Sequence, residues 1–311
     1  MRTVPLGDTG VEVSALCLGA MYFGTRQNQA ESYRLLDHYV GAGGTFIDTA
    51  NIYAHWAEGG RGGESEPVLG AWMRERGNRD RLFIASKVGF EMPGVERGLR
   101  AQQIEEECEK SLRRMGIDTI DLYYAHVDDR VTPMAETLEA FHRLVQAGKV
   151  RFIGASNFRA WRLEEARWLS AQNGWTNYCC IQQRYTYLRP KHGASFGGQV
   201  VANEDLRDYC RSRPITLLAY SALLAGAYTR ADRAIPDEYA GPDTDARLAA
   251  LNQVAAAQNA TPNQVILAWM LQHDIIPLIA ASTIEQMQEN LDALDLHLSD
   301  EQMQRLDRTS A

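Results

Sequence analysis

The sequence predicts an α/β protein, a (β/α)8 TIM barrel with an N-terminal β-hairpin and long loops at the carboxyl end of the strands. Three observations carry that expectation. Short apolar runs alternate with longer helical periods, the pattern of a parallel sheet wound with helices. Eight such units can be counted, and no break in composition divides the chain near its middle, which favours one closed barrel over an open, doubly wound sheet. The 311 residues then read as a single barrel domain over 1–311, because such barrels run to roughly 250 residues and more with insertions.

The elements follow in order. Residues 3–6 and 12–14 flank Gly7-Asp8-Thr9-Gly10 and read as the hairpin. The barrel strands are expected at 16–19, 45–48, 82–86, 121–126, 152–156, 180–183, 216–220 and 275–279. Amphipathic stretches between them include 30–42, 65–76, 102–115, 134–147 and 161–172. Pro133 suits a first helical turn, and Gly148 falls where a helix would end. The connections at 184–198 and 222–244 are long, and loops of that length in a compact domain are more often functional than idle. The glycine cluster at 59–63 leads into Glu64 and Glu66 at a helix start. Carboxylates there would repel phosphate. Residues 58–66 therefore read as an enlarged flexible loop near the mouth, with Ser65 a helix N-cap.

Composition excludes several classes of function. The formal net charge is −8 and no Lys/Arg run stands out, so nucleic acid is not an expected partner. No apolar run approaches the roughly 20 residues that cross a bilayer, and the first residues hold no signal-like apolar stretch. A cytoplasmic location is the expectation, with no membrane partner. The five cysteines are scattered, with no Cys-x-x-Cys pair and no His-x-x-x-His cluster. Reduced thiols and no metal site are expected, and Cys179-Cys180 read as strand packing.

In a β/α barrel the chemistry belongs at the carboxyl ends of the strands. The residues there are Asp48, Lys87, His126, Ser156-Asn157, Gln182 and Tyr220. Each alone has an ordinary structural reading: a turn carboxylate, a solvated strand-end lysine, a satisfied histidine. With Tyr53, five residues after Asp48, they fit proton transfer. A phenol with a reference pKa near 10 exchanges protons poorly at neutral pH. A neighbouring ammonium is expected to lower it, and Asp48 would hold that lysine in place. His126 could donate to and orient a substrate oxygen. Positioned acid–base groups supply about 10²–10⁴ in rate.

These residues carry a resemblance to the aldo-keto reductase superfamily, running from the 7–10 hairpin to Glu289-Asn290. The motifs are Phe46-Ile47-Asp48-Thr49-Ala50 with Tyr53, the strand end Ser86-Lys87, Asp121-Leu122-Tyr123-Tyr124-Ala125-His126 followed by Asp129, and Gly154-Ala155-Ser156-Asn157-Phe158. The resemblance implies an NAD(P)-dependent oxidoreductase that interconverts a carbonyl and its alcohol by hydride transfer and needs no metal. Tyr53 is implied as general acid/base, tuned by Lys87 and Asp48, with His126 orienting the carbonyl. Cofactor contacts are implied at Gly19, Met21, Asp48, Ser156, Asn157, Gln182, Tyr220, Ser221, Leu223, Ala280, Ser282, Thr283, Gln286, Glu289 and Asn290. Ser156 and Asn157 match the pair that holds the nicotinamide carboxamide, and Tyr220 the aromatic stacked on its ring.

Two departures from the family pattern stand out. Residues 280–290 hold no Lys or Arg where similar enzymes grip the 2′-phosphate of NADP; Thr283 and Gln286 take those places. NAD(H) is therefore expected to be accepted at least as well as NADP(H), with Arg230 the side chain that could restore phosphate binding. After Tyr220, Ser-Pro-Leu-Gly becomes Ser221-Ala222-Leu223-Leu224, which removes backbone constraint. The pocket is expected to draw on Tyr22, His55, Trp56 and Tyr187, with Arg189, Lys191 and His192 nearby. That mixture suits a sugar-like carbonyl or an aryl aldehyde. Two rival readings stay open, a cofactor-binding regulatory subunit with vestigial turnover and a metal-dependent lyase or isomerase. The sequence leaves oligomeric state open.

Overall fold

The structure, a computed structural model, describes residues 1–308. The hairpin forms first, with β1 (Thr3–Pro5) antiparallel to β2 (Glu12–Ser14). It closes the amino end of the barrel: Leu6 and Val13 are fully buried, and the Gly7 N–H donates to Thr216 Oγ at 2.7 Å.

The chain then runs β3 (Cys17–Gly19), α1 (Gln29–Gly41), β4 (Phe46–Asp48), α2 (Ser65–Arg76), β5 (Phe83–Val88), α3 (Ala101–Met115) and β6 (Ile120–Ala125). It continues through α4 (Met134–Gln146), β7 (Val150–Ser156), α5 (Ala160–Asn173), β8 (Tyr178–Arg184), α6 (Glu204–Ser212) and β9 (Thr216–Tyr220). The last elements are α7 (Thr244–Gln258), α8 (Pro262–Gln272), β10 (Ile275–Ile279), α9 (Ile284–Asp292) and α10 (Asp300–Arg308). Strands β3 to β10 pair in parallel and close into a barrel in the order β10-β3-β4-β5-β6-β7-β8-β9. Among the described residues no helix is long and apolar enough to cross a membrane.

Side chains alternate across each strand, so one parity fills the barrel and the other packs under the helices. The interior takes Cys17, Phe46, Phe83, Ala85, Leu122, Tyr124, Cys180, Leu218 and Ile276. Ile47, Ile84, Tyr123, Ala125 and Ile153 face outward into the layer beneath the helices. Gly154 is required by this packing. A Cβ there would lie 2.7 Å from the Tyr124 ring and 2.8 Å from Cys180 Sγ.

The expected elements appear with shifted ends. β5 extends past Ser86 to Val88, and β8 spans 178–184 rather than 180–183, because polar residues such as Lys87 and Arg184 continue the ladder opposite Tyr124 and Tyr220. Pro133 is the N-cap of α4 rather than part of its first turn. Ser65 does not cap α2. It is the first helical residue, and its buried hydroxyl bonds Ala20 O at 2.7 Å and meets Thr49 Oγ at 2.9 Å. The 58–66 loop ends at Glu64, whose carboxylate accepts from the N–H groups of Arg61 and Gly62, while Glu66 lies fully buried inside α2. The 222–244 connection is partly ordered by short 3₁₀ turns at Leu224–Gly226 and Asp237–Tyr239.

Candidate active site

The alternation that fills the barrel also loads its mouth. Climbing the inward parity leads from Phe46 to Asp48 on β4, from Phe83 and Ala85 to Lys87 on β5, and from Leu122 and Tyr124 to His126 just past β6. Apolar layers thus give way to titratable ones at the carboxyl end.

Asp48 and Lys87 are both fully buried and form an ion pair through Asp48 Oδ1. Lys87 Nζ also donates to Thr49 O at 2.9 Å and to the Tyr53 hydroxyl at 2.7 Å. That hydroxyl donates to Asp48 Oδ1 at 3.2 Å, and Gln182 Nε2 donates to Asp48 Oδ2 at 2.9 Å. The His126 ring stands edge-on to Tyr53, with centroids 6.1 Å apart, and Phe90 packs against its other side at 4.8 Å. Tyr53, Lys87, Asp48 and His126 are therefore brought together.

Their electrostatics differ from the sequence expectation in one respect. The Tyr53 phenol is held well above its usual range, first by burial and then by the charge and hydrogen bond of Asp48. The expected acidification by Lys87 is overturned for the resting site, because desolvation of a phenolate and a carboxylate at 3.2 Å outweigh the ammonium. Tyr53 thus holds its proton at neutral pH. Burial pushes Lys87 down, with Asp48 opposing it, and burial with the nearby Lys87 charge pushes His126 well below the usual imidazole range. His126 is neutral.

The segment carrying Tyr53 is fastened from outside the barrel. Thr49 N donates to Ala85 O and Asn51 N to Lys87 O. The Asn51 amide donates at 2.8 Å to Glu107, a buried carboxylate of α3 that also takes Lys110 at 2.7 Å. One residue from Lys87, Ser86 Oγ donates to Glu66, which pairs with Arg114 at 2.5 Å. Asn51 and Glu107 were not singled out by sequence reasoning, and Glu66, read there only as a helix-start carboxylate, is instead a buried partner of Ser86 and Arg114.

The far side of the mouth is built from neutral groups. A cavity of 320 Å³ is lined by Gly19, Met21, His55, Trp56, Ser156, Asn157, Gln182, Tyr220, Ser221 and Ala280, together with Tyr53 and His126. Phe90, Gln199, Leu278 and Ile279 line it as well and were not anticipated. Asn157 has a left-handed backbone (φ 60°), and its amide is fully spent. Nδ2 donates to His126 O and Ser156 Oγ, while Oδ1 accepts from the Tyr220 hydroxyl at 2.7 Å and from Val200 N. Asn157 thus lines the cavity with its amide already engaged by four protein groups. It braces Tyr220 and the His126 backbone, with no donor or acceptor left over.

The remaining expected residues scatter. Tyr187 is not a pocket residue: it is buried against Trp269, where the helix layer needs a large ring, and its hydroxyl donates to Arg247 O. Tyr22 lies outside the cavity lining, with the Arg26 guanidinium over its ring at 4.6 Å. Leu223 packs against the core. Ser282, Thr283 and Gln286 stand beyond the cavity at the start of α9, where Thr283 caps the helix and Gln286 Oε1 accepts from Ser282 N at 2.8 Å. Glu289 accepts from Thr261 and Asn263, and Asn290 donates to Ala280 O. Arg230 is paired with Asp232.

Comparison with known proteins gives a consistent result. The model of the Aldo/keto reductase family matches residues 15–311. Norsolorinic acid reductase stcV of Emericella nidulans is 31% identical, over 96% of this chain and 79% of its own. An uncharacterized oxidoreductase of Bacillus subtilis, YrpG, is 30% identical over 98% of this chain and 95% of its own. The crystal structure of the thermostable aldo-keto reductase Tm1743, in complex with the inhibitor epalrestat, superposes with a TM-score of 0.79 at 30% identity and full coverage of both chains.

Proposed function

This chain belongs to the aldo/keto reductase family, and from that membership we propose that it is a nicotinamide-dependent reductase of aryl carbonyls in which Tyr53 delivers the proton. The observation that carries this reading is the buried Asp48–Lys87–Tyr53 cluster opening onto one cavity with His126.

Unspent polar atoms support the fit of a nicotinamide carboxamide, which needs one acceptor and one donor. Gln182 spends Nε2 on Asp48, and its Oε1 has no partner among the described residues; the Ser156 hydroxyl likewise has a proton to give. Tyr220, its hydroxyl pinned by Asn157, offers a fixed ring face. When bound, the nicotinamide would supply a hydride to the carbonyl carbon. The residues of the chain do the rest. Neutral His126 donates a hydrogen bond to the carbonyl oxygen. As negative charge grows on that oxygen, Tyr53 gives up the proton on its hydroxyl. Lys87 Nζ, 2.7 Å away, then stabilises the phenolate. Ile52, Phe90, Met21 and the partly exposed Trp56 give the cavity an apolar wall that suits a flat aromatic body rather than a sugar.

NAD(H) is accepted at least as well as NADP(H) on this reading. Thr283 and Gln286 are occupied in capping α9, and Glu285 lies in its first turn, so a 2′-phosphate there meets a carboxylate and no cation from residues 280–290, while Arg34 of α1 already acts on Glu285. The test is a comparison of kcat/KM for benzaldehyde with both cofactors, beside an aldose panel. A hundredfold preference for NADPH would sink the cofactor proposal, aldoses outperforming aryl aldehydes would sink the substrate proposal, and no reduction at all would sink the function.

A further inference from the structure

Arg184 ends β8 at the barrel mouth, half-buried. Its guanidinium is held on several sides by neutral groups. Nε donates to the Tyr239 hydroxyl at 3.0 Å, and Nη1 donates to Gln199 Oε1 at 2.8 Å and to Ser221 Oγ at 3.4 Å. The Phe196 ring lies under it at 4.5 Å. Among the described residues it forms no ion pair and Nη2 has no partner, whereas Arg189 and Arg230 on neighbouring loops pair with Asp243 and Asp232. Gln199 and Ser221 both line the cavity that holds Tyr53.

A cation partly removed from water and given no counter-charge is costly to keep. It is also preorganised: its stem is fixed and the two N–H bonds of Nη2 are left over, charged donors that carboxylate and phosphate oxygens accept. The loop beside it adds neutral donors of the same kind. Ser221, Leu224 and Ala225 adopt left-handed backbone (φ 56°, 46° and 54°), and the N–H groups of Ala222 and Leu223 have no partner among the described residues. Successive N–H groups in such turns form anion-binding concavities.

We propose that Arg184 is the counter-charge for an anionic group, a phosphate or a carboxylate, carried by a ligand seated in the mouth. The inference rests on the mouth being the ligand site of the reductase proposed above.

The test uses the full chain and Arg184→Gln, Arg184→Lys and Tyr239→Phe. The measurements are NADH affinity by fluorescence, inorganic pyrophosphate affinity by calorimetry, and KM for benzaldehyde and 4-carboxybenzaldehyde. Arg184→Gln should weaken at least one anionic ligand by about tenfold or more while leaving KM for benzaldehyde within about twofold. Arg184→Lys should fall between, and Tyr239→Phe, which removes a brace but keeps the charge, should stay near wild type. Loss of NADH and pyrophosphate binding identifies the cofactor phosphates as the anion; a selective rise in KM for the carboxylated aldehyde identifies the substrate. The proposal is overturned if every anion readout stays within about twofold, if Tyr239→Phe reproduces the loss, or if KM for benzaldehyde rises as much. Should wild-type protein neither bind NADH nor reduce aldehydes, the reductase reading fails by itself. The pyrophosphate titration then still decides Arg184, and absence of wild-type binding would count against it.

Discussion

Two buried aspartates on barrel strands, Asp48 and Asp121, hold cations in opposite ways. Asp48, at the carboxyl end of β4, pairs with a lysine that is as fully buried as itself, and both also contact the Tyr53 hydroxyl. Asp121, near the amino end of β6, takes Arg79 at 2.7 Å and Arg151 at 2.6 Å, side chains 25% and 47% exposed, and accepts from Ile84 N at 2.9 Å. The second arrangement ties three parts of the barrel together while its cations keep their water. The first seals both charges away, where desolvation consumes most of the Coulombic gain. Stability alone does not favour such a pair; the proposed proton transfer at the phenol would.

That contrast is open to direct attack. The largest effect is expected from Tyr53→Phe, which should lower kcat by about 10²–10⁴ with NADH affinity nearly unchanged; near-normal turnover would remove the role given to the sealed pair. Next, Asp121→Asn should cost about 3 kcal/mol in chemical denaturation and leave kcat within about twofold, whereas Asp48→Asn should collapse kcat. If the two variants exchanged these phenotypes, the contrast would be reversed.

A smaller effect tests the outer fastening of the Tyr53 segment. Glu107→Ala leaves the Asn51 amide without its acceptor, and kcat should drop by about tenfold for roughly 1–2 kcal/mol of lost positioning. Glu107→Gln, which keeps an acceptor oxygen, should restore most of it. Equal losses in both variants would show that charge, not position, matters there. The smallest effect concerns pH. His126 is held neutral in the fold, its pKa below that of the unfolded chain. The unfolded state therefore binds more protons as pH falls through about 6.5, and stability should decline below that value. His126→Gln should flatten the Tm profile between about pH 6.5 and 5, and an unchanged profile would remove the burial argument.

The sequence made the barrel and its charged cluster legible because both follow from a period of two. Residues two apart on β4, β5 and β6 climb from Phe or Leu to Asp48, Lys87 and His126, and that pattern survives without coordinates. What stayed hidden depends on side-chain direction or on distant partners. Tyr187 looked like a loop aromatic but turns inward against Trp269. Asn157 looked available, yet a left-handed backbone aims its amide at four protein groups. Glu107 lies 56 residues from Asn51 along the chain, beyond any local motif. The sign of the Tyr53 shift was missed because residue identity names the neighbouring ammonium but says nothing of how dry the phenol becomes.

The contact between Gly154 and Tyr124 has a consequence for how this enzyme can change. A methyl group at position 154 has nowhere to go, since the ring and the Cys180 sulfur already occupy the space, so the floor under the reacting groups cannot be recontoured one residue at a time. Phe90, Trp56 and Gln199 sit on loops above that floor and face no such restriction. Drift in what the protein accepts, whether by evolution or by laboratory selection, should therefore accumulate at the rim and leave the tyrosine's surroundings as they are.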